Sequence, residues 1–222
     1  MNTVTPRIFI AATRQNDGKT TTSLGLLSAM QQFYPRIGYI KPVGQRFVEI
    51  EEQKIDEDTV LMDRVYQLNC PLVDMSPIAV EPDFTRKYLQ SSNNETLVKK
   101  IQKAFDRVAW EKDFVLCEGS GHAGVGAVFD LSNAQVAKIL DAKVVIVTQG
   151  GIGKPIDEVS LNQALFEKEG KRLVYRKHGD RFDPIPVEIA TSSPGRVVVT
   201  KGIARGDELA LRDPTAAEHS EK

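Results

Sequence analysis

A stretch near the start of the chain combines small and polar residues with one lysine, in the pattern of a ligand-binding loop. It reads AATRQNDGKTT, runs from Ala11 to Thr21, and ends in Gly-Lys-Thr-Thr. Backbone N–H groups of such a loop, and of a helix that follows it, can bind phosphate oxygens. Lys19 would reach the outer phosphates, and the Thr20 hydroxyl would ligate Mg²⁺. We therefore interpret the stretch as a phosphate-binding loop.

The loop departs from the common phosphate-loop pattern at one position. That pattern places a glycine five residues before Gly18, where this chain has Thr13. We interpret the difference as a variant loop that is one residue longer and starts at Ala12-Thr13. The alternative is an ordinary strand–turn–helix with a chance Gly-Lys-Thr.

Two further charged residues stand where a predicted strand ends and a predicted helix begins. Lys41 follows the apolar residues 37–40, and a lysine at the carboxyl end of a strand would face the ligand crevice of an open α/β sheet. It could hold an anionic substrate, or it could be a solvated lysine. Asp58 lies in an acidic helix start. It could complement the helix dipole, or it could be a second Mg²⁺ ligand.

Glu118 ends a strongly apolar run and precedes four glycines within eight residues. An acid at this position would meet a metal on the phosphates, directly or through water. The glycines would let backbone amides approach an anion closely. His122, inside the glycine run, could contact a substrate, although a lone loop histidine is more often incidental.

Alternating apolar strands and amphipathic helices would position these residues. We predict strands at 8–11, 113–118 and 143–148, and a short strand within 37–45 that ends in a Lys41-Pro42 loop. We predict helices at 22–30, 56–66, 95–110, 133–140 and 156–169. The segment 70–94 contains three prolines and reads as irregular, with a short helix at 85–89. This alternation predicts an α/β fold with a doubly wound, mainly parallel sheet.

Composition and charge exclude several classes of function. The chain has 222 residues, of which 41% are hydrophobic and 27% charged, as in one large globular domain or a domain with an appendage. A net charge of −1 gives no electrostatic reason to expect binding to nucleic acid or to an anionic membrane. No apolar run approaches the roughly 20 residues that span a bilayer, and residues 1–7 lack a secretory pattern. Cys70 and Cys117 read as two buried thiols, so we expect a cytoplasmic protein.

The motifs together resemble a family of phosphate-loop (P-loop) ATPases. Ala12-Thr13, Gly18-Lys19-Thr20, Lys41-Pro42-Val43, Asp58 and Glu118-Gly119 fall in the order found in dethiobiotin synthetase and the cobyrinic acid a,c-diamide synthase group. The resemblance covers roughly residues 6–170 and extends to the N-terminal domain of some phosphate acetyltransferases. It implies a P-loop fold, ATP with Mg²⁺, and phosphoryl transfer to a carboxylate or carbamate that then closes onto an amine. Residues 47–54 depart from dethiobiotin synthetase, so its own substrate is not implied.

The resemblance assigns roles residue by residue. It gives catalytic roles to Lys19, Lys41 and Glu118, with Lys41 on the substrate anion. Mg²⁺ would be held by Thr20, Asp58 and Glu118. Nucleotide binding would fall to a group of loop residues: Thr13, Asn16, Asp17, Gly18, Lys19, Thr20 and Thr21. The expected partner is a small carboxylate or amine substrate, with no nucleic acid and no membrane span; a homodimer is a further expectation.

The sequence pattern departs from that of the family after residue 170. The family would continue with a fifth strand that ends in an Asn contacting the nucleotide base, but no Asn occurs between Lys171 and Lys222. Short alternating runs with Gly-Asp turns predict β-hairpins instead. These roughly 50 residues resemble the C-terminal β segment of periplasmic adaptor subunits of efflux pumps (HlyD-like membrane fusion proteins), which suggests a fused or rearranged gene. The alternative is a divergent end of the same domain.

The predicted organisation is an ATPase domain at 1–170, a hairpin tail at 171–212 and a disordered end at 213–222. Three interpretations of function stay open. The first is an ATP-dependent synthetase. The second is a nucleotide-binding regulatory module without turnover, as in a phosphate acetyltransferase-like protein. The third is a damaged chain that folds poorly or assembles with another protein.

Overall fold

The computed structural model describes residues 1–91, 93–122, 124–151, 166–168, 171–193, 196–210 and 214. The chain divides into two compact units, Met1–Thr148 and Gln149–Lys222. Each unit is described by itself below. The boundaries predicted at residues 170 and 212 stay predictions.

The first unit alternates strands and helices. Its strands are β1 (Arg7–Ala12), β2 (Ile37–Ile40), β3 (Val43–Gly44), β4 (Phe47–Ile50), β5 (Gln53–Asp56), β6 (Ile78–Ala79), β7 (Phe114–Glu118) and β8 (Lys143–Val147). Its helices are α1 (Lys19–Met30), α2 (Glu57–Tyr66), α3 (Leu72–Met75), α4 (Phe84–Ser91), α5 (Asn94–Val108) and α6 (Asn133–Ile139), with a 3₁₀ turn at Ala127–Phe129.

A parallel sheet of four strands in the order β2-β7-β1-β8 forms the centre of this unit. In the register of this sheet, Ile10 pairs with Glu118 and Ile40 with Cys117. All of β7 is buried, and it is apolar apart from Glu118, as expected of a central parallel strand covered on both faces. The predicted α/β fold with a mainly parallel sheet is therefore confirmed. The edge strand β8 is parallel as predicted, but Val144 and Val145 are exposed by 48% and 40%.

Local sequence explains where the helices begin. The carboxylate of Asp56 accepts a hydrogen bond from the Asp58 N–H (3.0 Å) and caps α2, which starts at Glu57 as the acidic segment indicated. Asn93 caps α5 through the Thr96 N–H (3.1 Å). The face of α5 that carries Ile101 and Phe105 is buried in the core, as its helical period predicted.

The short strand predicted within 37–45 ends at Ile40, and Lys41-Pro42 forms the loop that the sequence indicated. Pro42 has no N–H to continue the ladder, and the Lys41 N–H donates to the Met75 carbonyl (2.8 Å) instead of to β7. Beyond this loop, β3 pairs with β6, and β4 and β5 form a hairpin that the sequence did not indicate. The segment 70–94 is more regular than predicted, since it contains α3, β6 and α4.

The second unit is built from antiparallel strands: β9 (Phe166–Lys168), β10 (Lys171–His178), β11 (Arg181–Pro186), β12 (Glu188–Ser193) and β13 (Arg196–Lys201). The sheet β11-β10-β9 and the pair β12-β13 confirm the predicted β-rich tail. Gly179, with a φ of 63°, provides the left-handed turn between β10 and β11. The helix predicted at 156–169 is wrong at 166–168, which pair with β10; residues 152–165 lie outside the described ranges.

The disorder predicted for 213–222 also lies outside the described ranges, apart from residue 214. Across the part of the chain that the structure describes, no helix is both long and apolar enough to cross a membrane.

Candidate functional site

The loop between β1 and α1 is fastened to the sheet by Thr13. Its N–H donates to the Val147 carbonyl (3.2 Å), and its buried hydroxyl donates to the Asp17 carboxylate (3.1 Å) and lies 3.1 Å from the Thr148 hydroxyl. Gly18, with a φ of 92°, is the N-cap of α1 and adopts a conformation that favours glycine. Thr13 and Asp17 therefore shape the loop from within. Their assignment to nucleotide binding stays a prediction.

A cavity of about 290 Å³ opens beside this loop. Residues from four stretches line it: 15–21, 41–46, 56–58 and 118–121. The cavity thus brings together most of the residues predicted from the sequence: Asn16, Gly18, Lys19, Thr20, Thr21, Lys41, Asp58 and Glu118.

Lys19 begins α1 and points its ammonium group across the cavity. Its Nζ donates to the carbonyl of Gly121 (2.5 Å), in the loop that follows β7. Burial lowers the pKa of Lys19 from its ordinary value, with a contribution from the nearby Lys41 charge, while Glu118 acts in the opposite direction. A buried ammonium group at a helix N-terminus provides a strong site for phosphate oxygens.

Lys41 is enclosed by three carboxylates. Its ammonium nitrogen forms a hydrogen bond with Asp58 and lies 3.2 Å from Asp56 Oδ1 and 3.4 Å from Glu118 Oε1. Burial disfavours the charged ammonium, but Glu118, Asp56 and Asp58 together raise the pKa of Lys41 above its ordinary value. Lys41 is buried and paired, so the solvated-lysine alternative does not describe it.

Glu118 offers oxygen atoms to both the loop and the lysine. Its Oε1 accepts a hydrogen bond from the Thr20 hydroxyl (3.3 Å), and its Oε2 is buried without a hydrogen-bond partner among the described residues. Burial raises the pKa of Glu118, against the opposing effect of Lys41. A buried carboxylate whose Oε1 lies beside the Thr20 hydroxyl, in a cavity that Asp58 also lines, fits Mg²⁺, which prefers oxygen ligands.

The protein groups alone do not form a closed metal site. In the described ranges, no three His, Cys, Asp or Glu side chains are grouped so as to hold a metal ion. A Mg²⁺ ion at Thr20, Asp58 and Glu118 would therefore also use phosphate oxygens and water, as nucleotide-bound Mg²⁺ does.

The glycine-rich loop after β7 is held by Asn133, at the start of α6. The Asn133 side chain accepts a hydrogen bond from the Ser120 N–H (3.0 Å) and donates to the Ser120 and His122 carbonyls (both 2.9 Å). A side chain at Gly119 would place its Cβ 2.5 Å from the Asn133 amide oxygen, so the loop requires glycine there. His122 is part of this loop, and burial lowers its pKa, helped by the Lys19 charge. Its contact with a substrate stays a prediction.

Sequence reasoning missed two residues of the site. Asn133 was predicted only as the start of a helix, and no nearby residue in the sequence indicated that it would bind Ser120, 13 residues earlier. Asp56 appeared only as part of the acidic helix start, yet it is buried and pairs with Lys41. The sequence did contain a signal for Asp56: Asp56 and Asp58, two residues apart, stand on either side of the first helical residue, Glu57.

Comparison with known proteins gives a family match and several relatives. An AAA domain family model (AAA_26) matches residues 6–175. The ATP-dependent dethiobiotin synthetase BioD of Methanococcus vannielii is 26% identical over 167 residues, which cover 73% of this chain and 74% of that protein. The corresponding enzyme of Clostridium kluyveri is 25% identical over 174 residues, covering 75% and 70%.

Phosphate acetyltransferases form a second group of relatives. The phosphate acetyltransferase of Nitratidesulfovibrio vulgaris is 26% identical over 145 residues, which cover 64% of this chain and 20% of that protein. The chain thus spans about a fifth of the length of this relative. The family match ends at residue 175 and gives no support to the resemblance between the tail and efflux-pump adaptors, which stays a prediction. With 170 of its 222 residues matched, the chain belongs to the AAA domain family AAA_26, as a P-loop domain related to the ATP-dependent dethiobiotin synthetases.

Proposed function

We propose that this protein binds ATP with Mg²⁺ and transfers the terminal phosphoryl group to a carboxylate or carbamate. The observation that carries the proposal is the convergence of Lys19, Thr20, Lys41, Asp58 and Glu118 on one cavity. Two lysines with two acids and a hydroxyl provide what phosphoryl transfer needs: cationic groups for the phosphates and acceptor, and oxygen ligands for the metal. The relationship to ATP-dependent synthetases supports the same reaction class.

Each side chain has a distinct role in the proposed reaction. Lys19 and the backbone N–H groups at the start of α1 would bind the phosphates and stabilise charge on the group in transfer. Thr20, Asp58 and Glu118 would hold Mg²⁺, which neutralises phosphate charge when bound. Lys41 would bind the acceptor carboxylate and orient its oxygen toward the terminal phosphorus.

The proposed chemistry has two steps. An acceptor oxygen forms a bond to the terminal phosphorus as the bond to the bridging oxygen breaks, which gives ADP and an acyl phosphate. An amine or ammonia then attacks the acyl carbon, loses a proton, and expels inorganic phosphate to leave an amide or a ring-closed urea. The second step needs an amine close to the acceptor, so we expect the amine on the same substrate or in solution beside the cavity.

A second candidate function is a regulatory module that binds the nucleotide without turnover, within a phosphate acetyltransferase-like protein. One observation favours it. In the family that the sequence resembles, the chain continues with a parallel strand that ends in the base-contacting Asn. At that point this chain forms the antiparallel strands β9, β10 and β11 instead. A module of this kind would keep phosphate binding and lose productive orientation of the nucleotide.

Turnover across a panel of acceptors tests the proposal. ADP and inorganic phosphate release would be measured with Mg²⁺-ATP and small carboxylic acids, alone and with amines or as amino acids. We expect at least one acceptor to accelerate ADP release, and Lys19→Ala to abolish nucleotide binding or turnover, because the triphosphate charge would be unmatched. Lys99→Ala is the matched control, since Lys99 is exposed on α5 and pairs only locally with Glu95.

Two results would count against the proposal. Nucleotide binding without acceptor-stimulated turnover would favour the regulatory module. Normal binding and turnover in Lys19→Ala would remove the phosphate-loop assignment itself.

A further inference from the structure

Four polar atoms are buried without a hydrogen-bond partner in the part of the chain that the structure describes. They are Ser23 Oγ, Tyr39 Oη, Thr59 Oγ1 and Glu118 Oε2. All four residues are fully buried, with exposures of 0%. Buried polar groups are nearly always paired, so each exception calls for an explanation. Here one of the four is a carboxylate oxygen of the candidate site.

The sheet register brings Tyr39 to Glu118. Tyr39 pairs with Leu116 across β2 and β7, and paired residues of parallel strands point to the same face of the sheet. Because side chains alternate along a strand, Leu116 and Glu118 share that face. Tyr39, two residues before Lys41, therefore points to the same face of the sheet as Glu118. Burial and then the Glu118 carboxylate raise the pKa of the Tyr39 hydroxyl well above its ordinary value.

The helix period brings Ser23 to the same carboxylate. Ser23 lies one turn after Lys19 and Thr20 on the buried side of α1. Burial raises the pKa of Glu118, and the Lys41 charge lowers it. The Ser23 hydroxyl also lowers this pKa. Ser23 and Tyr39 thus lie close enough to Glu118 to influence its ionisation, although neither hydroxyl meets hydrogen-bonding geometry with Oε2.

We propose that Ser23 and Tyr39 are positioning residues that hold Oε2 of Glu118 when the site is loaded. Their hydroxyls would donate to Oε2 from two different elements, α1 and β2. This leaves Oε1 directed at Thr20 and at the cation that Glu118 binds. The inference rests on the proposed function in one respect, that Glu118 contributes to Mg²⁺ binding.

The proposal gives the unpartnered hydroxyls of Ser23 and Tyr39 a role beside the site. A carboxylate held through only one oxygen can rotate about its terminal bond, and hydrogen bonds around a metal ligand fix its orientation. Losing such a supporting group typically weakens metal binding about 10-fold or more. In the protein without ligand, by contrast, neither hydroxyl meets hydrogen-bonding geometry, so its removal should change the melting temperature little.

The test measures metal affinity and stability together. Binding of Mn²⁺, as a probe for Mg²⁺, would be followed by electron paramagnetic resonance with a non-hydrolysable ATP analogue. Thermal unfolding would be recorded without ligand. We expect Tyr39→Phe and Ser23→Ala each to weaken Mn²⁺ binding about 10-fold, with melting temperatures close to that of wild type. Thr59→Val is the matched control, since it removes another buried unpartnered hydroxyl that has no described effect on Glu118, and its Mn²⁺ affinity should not change.

Each outcome separates the possibilities. Unchanged Mn²⁺ affinity in folded Tyr39→Phe and Ser23→Ala overturns the positioning role while the proposed function stands. Equal weakening in Thr59→Val overturns it as well, because the effect would then be general to the core. A lower melting temperature with proportionate loss of affinity assigns the two hydroxyls to structure alone. If Tyr39→Phe does not fold, Ser23→Ala decides by itself. If the wild-type protein binds the analogue but binds no Mn²⁺ with it, the metal role of Glu118 is overturned, and the inference with it.

Discussion

The ammonium nitrogen of Lys41 lies 3.4 Å from Oε1 of Glu118, although 77 residues separate them in the chain. They meet because β2 and β7 are neighbouring parallel strands, and each residue stands at or just beyond a carboxyl end. Asp56 and Asp58 complete the surroundings of the ammonium group. The lysine therefore neutralises acids that are predicted to share a divalent cation.

Replacing this lysine should destabilise the protein. Lys41→Met leaves Asp56 and Glu118 buried without their counter-charge, and breaking a buried ion pair from one side costs about 3–5 kcal/mol. We expect a clear loss of unfolding free energy in urea without ligand, and partial recovery with millimolar Mg²⁺, because a divalent cation can take over the neutralisation. Lys99→Met, an exposed helix-surface change, should shift stability by less than about 0.5 kcal/mol. Equal stability of Lys41→Met and wild type would contradict the buried network.

Glu118→Gln should separate chemistry from nucleotide binding. The change keeps the size of the side chain and removes the charge next to Thr20 and Lys41. Removing one charge-stabilising group from a preorganised site typically lowers the rate about 10²–10³-fold. Nucleotide affinity should fall much less, because Lys19 and the loop bind the phosphates. The rate is measured from phosphate release and the nucleotide affinity by calorimetry. An unchanged rate would contradict a role for Glu118 in the reaction.

The protein should hold phosphates well and discriminate poorly between nucleotide bases. In the family that the sequence resembles, base recognition depends on a strand-end Asn in the C-terminal region, and this chain has no Asn between Lys171 and Lys222. A site that hydrogen-bonds a base edge rejects other bases because its polar groups would be left unpaired. Without it, discrimination should fall by about 1–3 kcal/mol per lost partner.

Calorimetric titration with ATP, GTP and CTP in the presence of Mg²⁺ measures this discrimination. We expect the three dissociation constants to fall within about one order of magnitude, which corresponds to about 1.4 kcal/mol. A hundredfold preference for ATP would show that another part of the chain supplies the base pocket.

Both thiols should react slowly at neutral pH. Cys117 is the buried thiol that the sequence predicted, whereas Cys70 is only partly buried. Partial burial raises the pKa of Cys70 to about 11, and complete burial raises that of Cys117 to about 12. The thiolate is the reactive form, so the labelling rate of Cys70 should keep rising with pH beyond 9.0, the ordinary thiol pKa. Labelling with a disulfide reagent over a pH series from about 7 to 10 checks this, with Cys70→Ser and Cys117→Ser assigning the signals and denaturant giving the full count. A plateau near pH 9 in the folded protein would contradict the burial of Cys70.

Local patterns were sufficient for much of the fold and for most of the candidate site. The apolar run before Ala12, the Gly18-Lys19-Thr20 sequence and the helical period after it identified β1, the loop and α1. These elements depend on residues close in sequence, so periodicity and turn chemistry are enough. The hairpins after residue 170 were predictable for the same reason. The Lys41-Pro42 loop after β2 was predictable from a local signal as well, since proline cannot donate to a ladder.

Only the tertiary structure decided how the charged residues pair. The order β2-β7-β1-β8 sets Lys41 beside Glu118, and the sequence fixes neither that order nor the register of its strands. The capping geometry of α2 then turns Asp56 as well as Asp58 toward Lys41. Asn133 on the glycine loop, and Tyr39 and Ser23 against Glu118, are contacts of the same kind. The sequence by itself determined which chemical groups are present; the packing of strands far apart in the chain determined which of them touch, because such contacts leave no local periodicity to read.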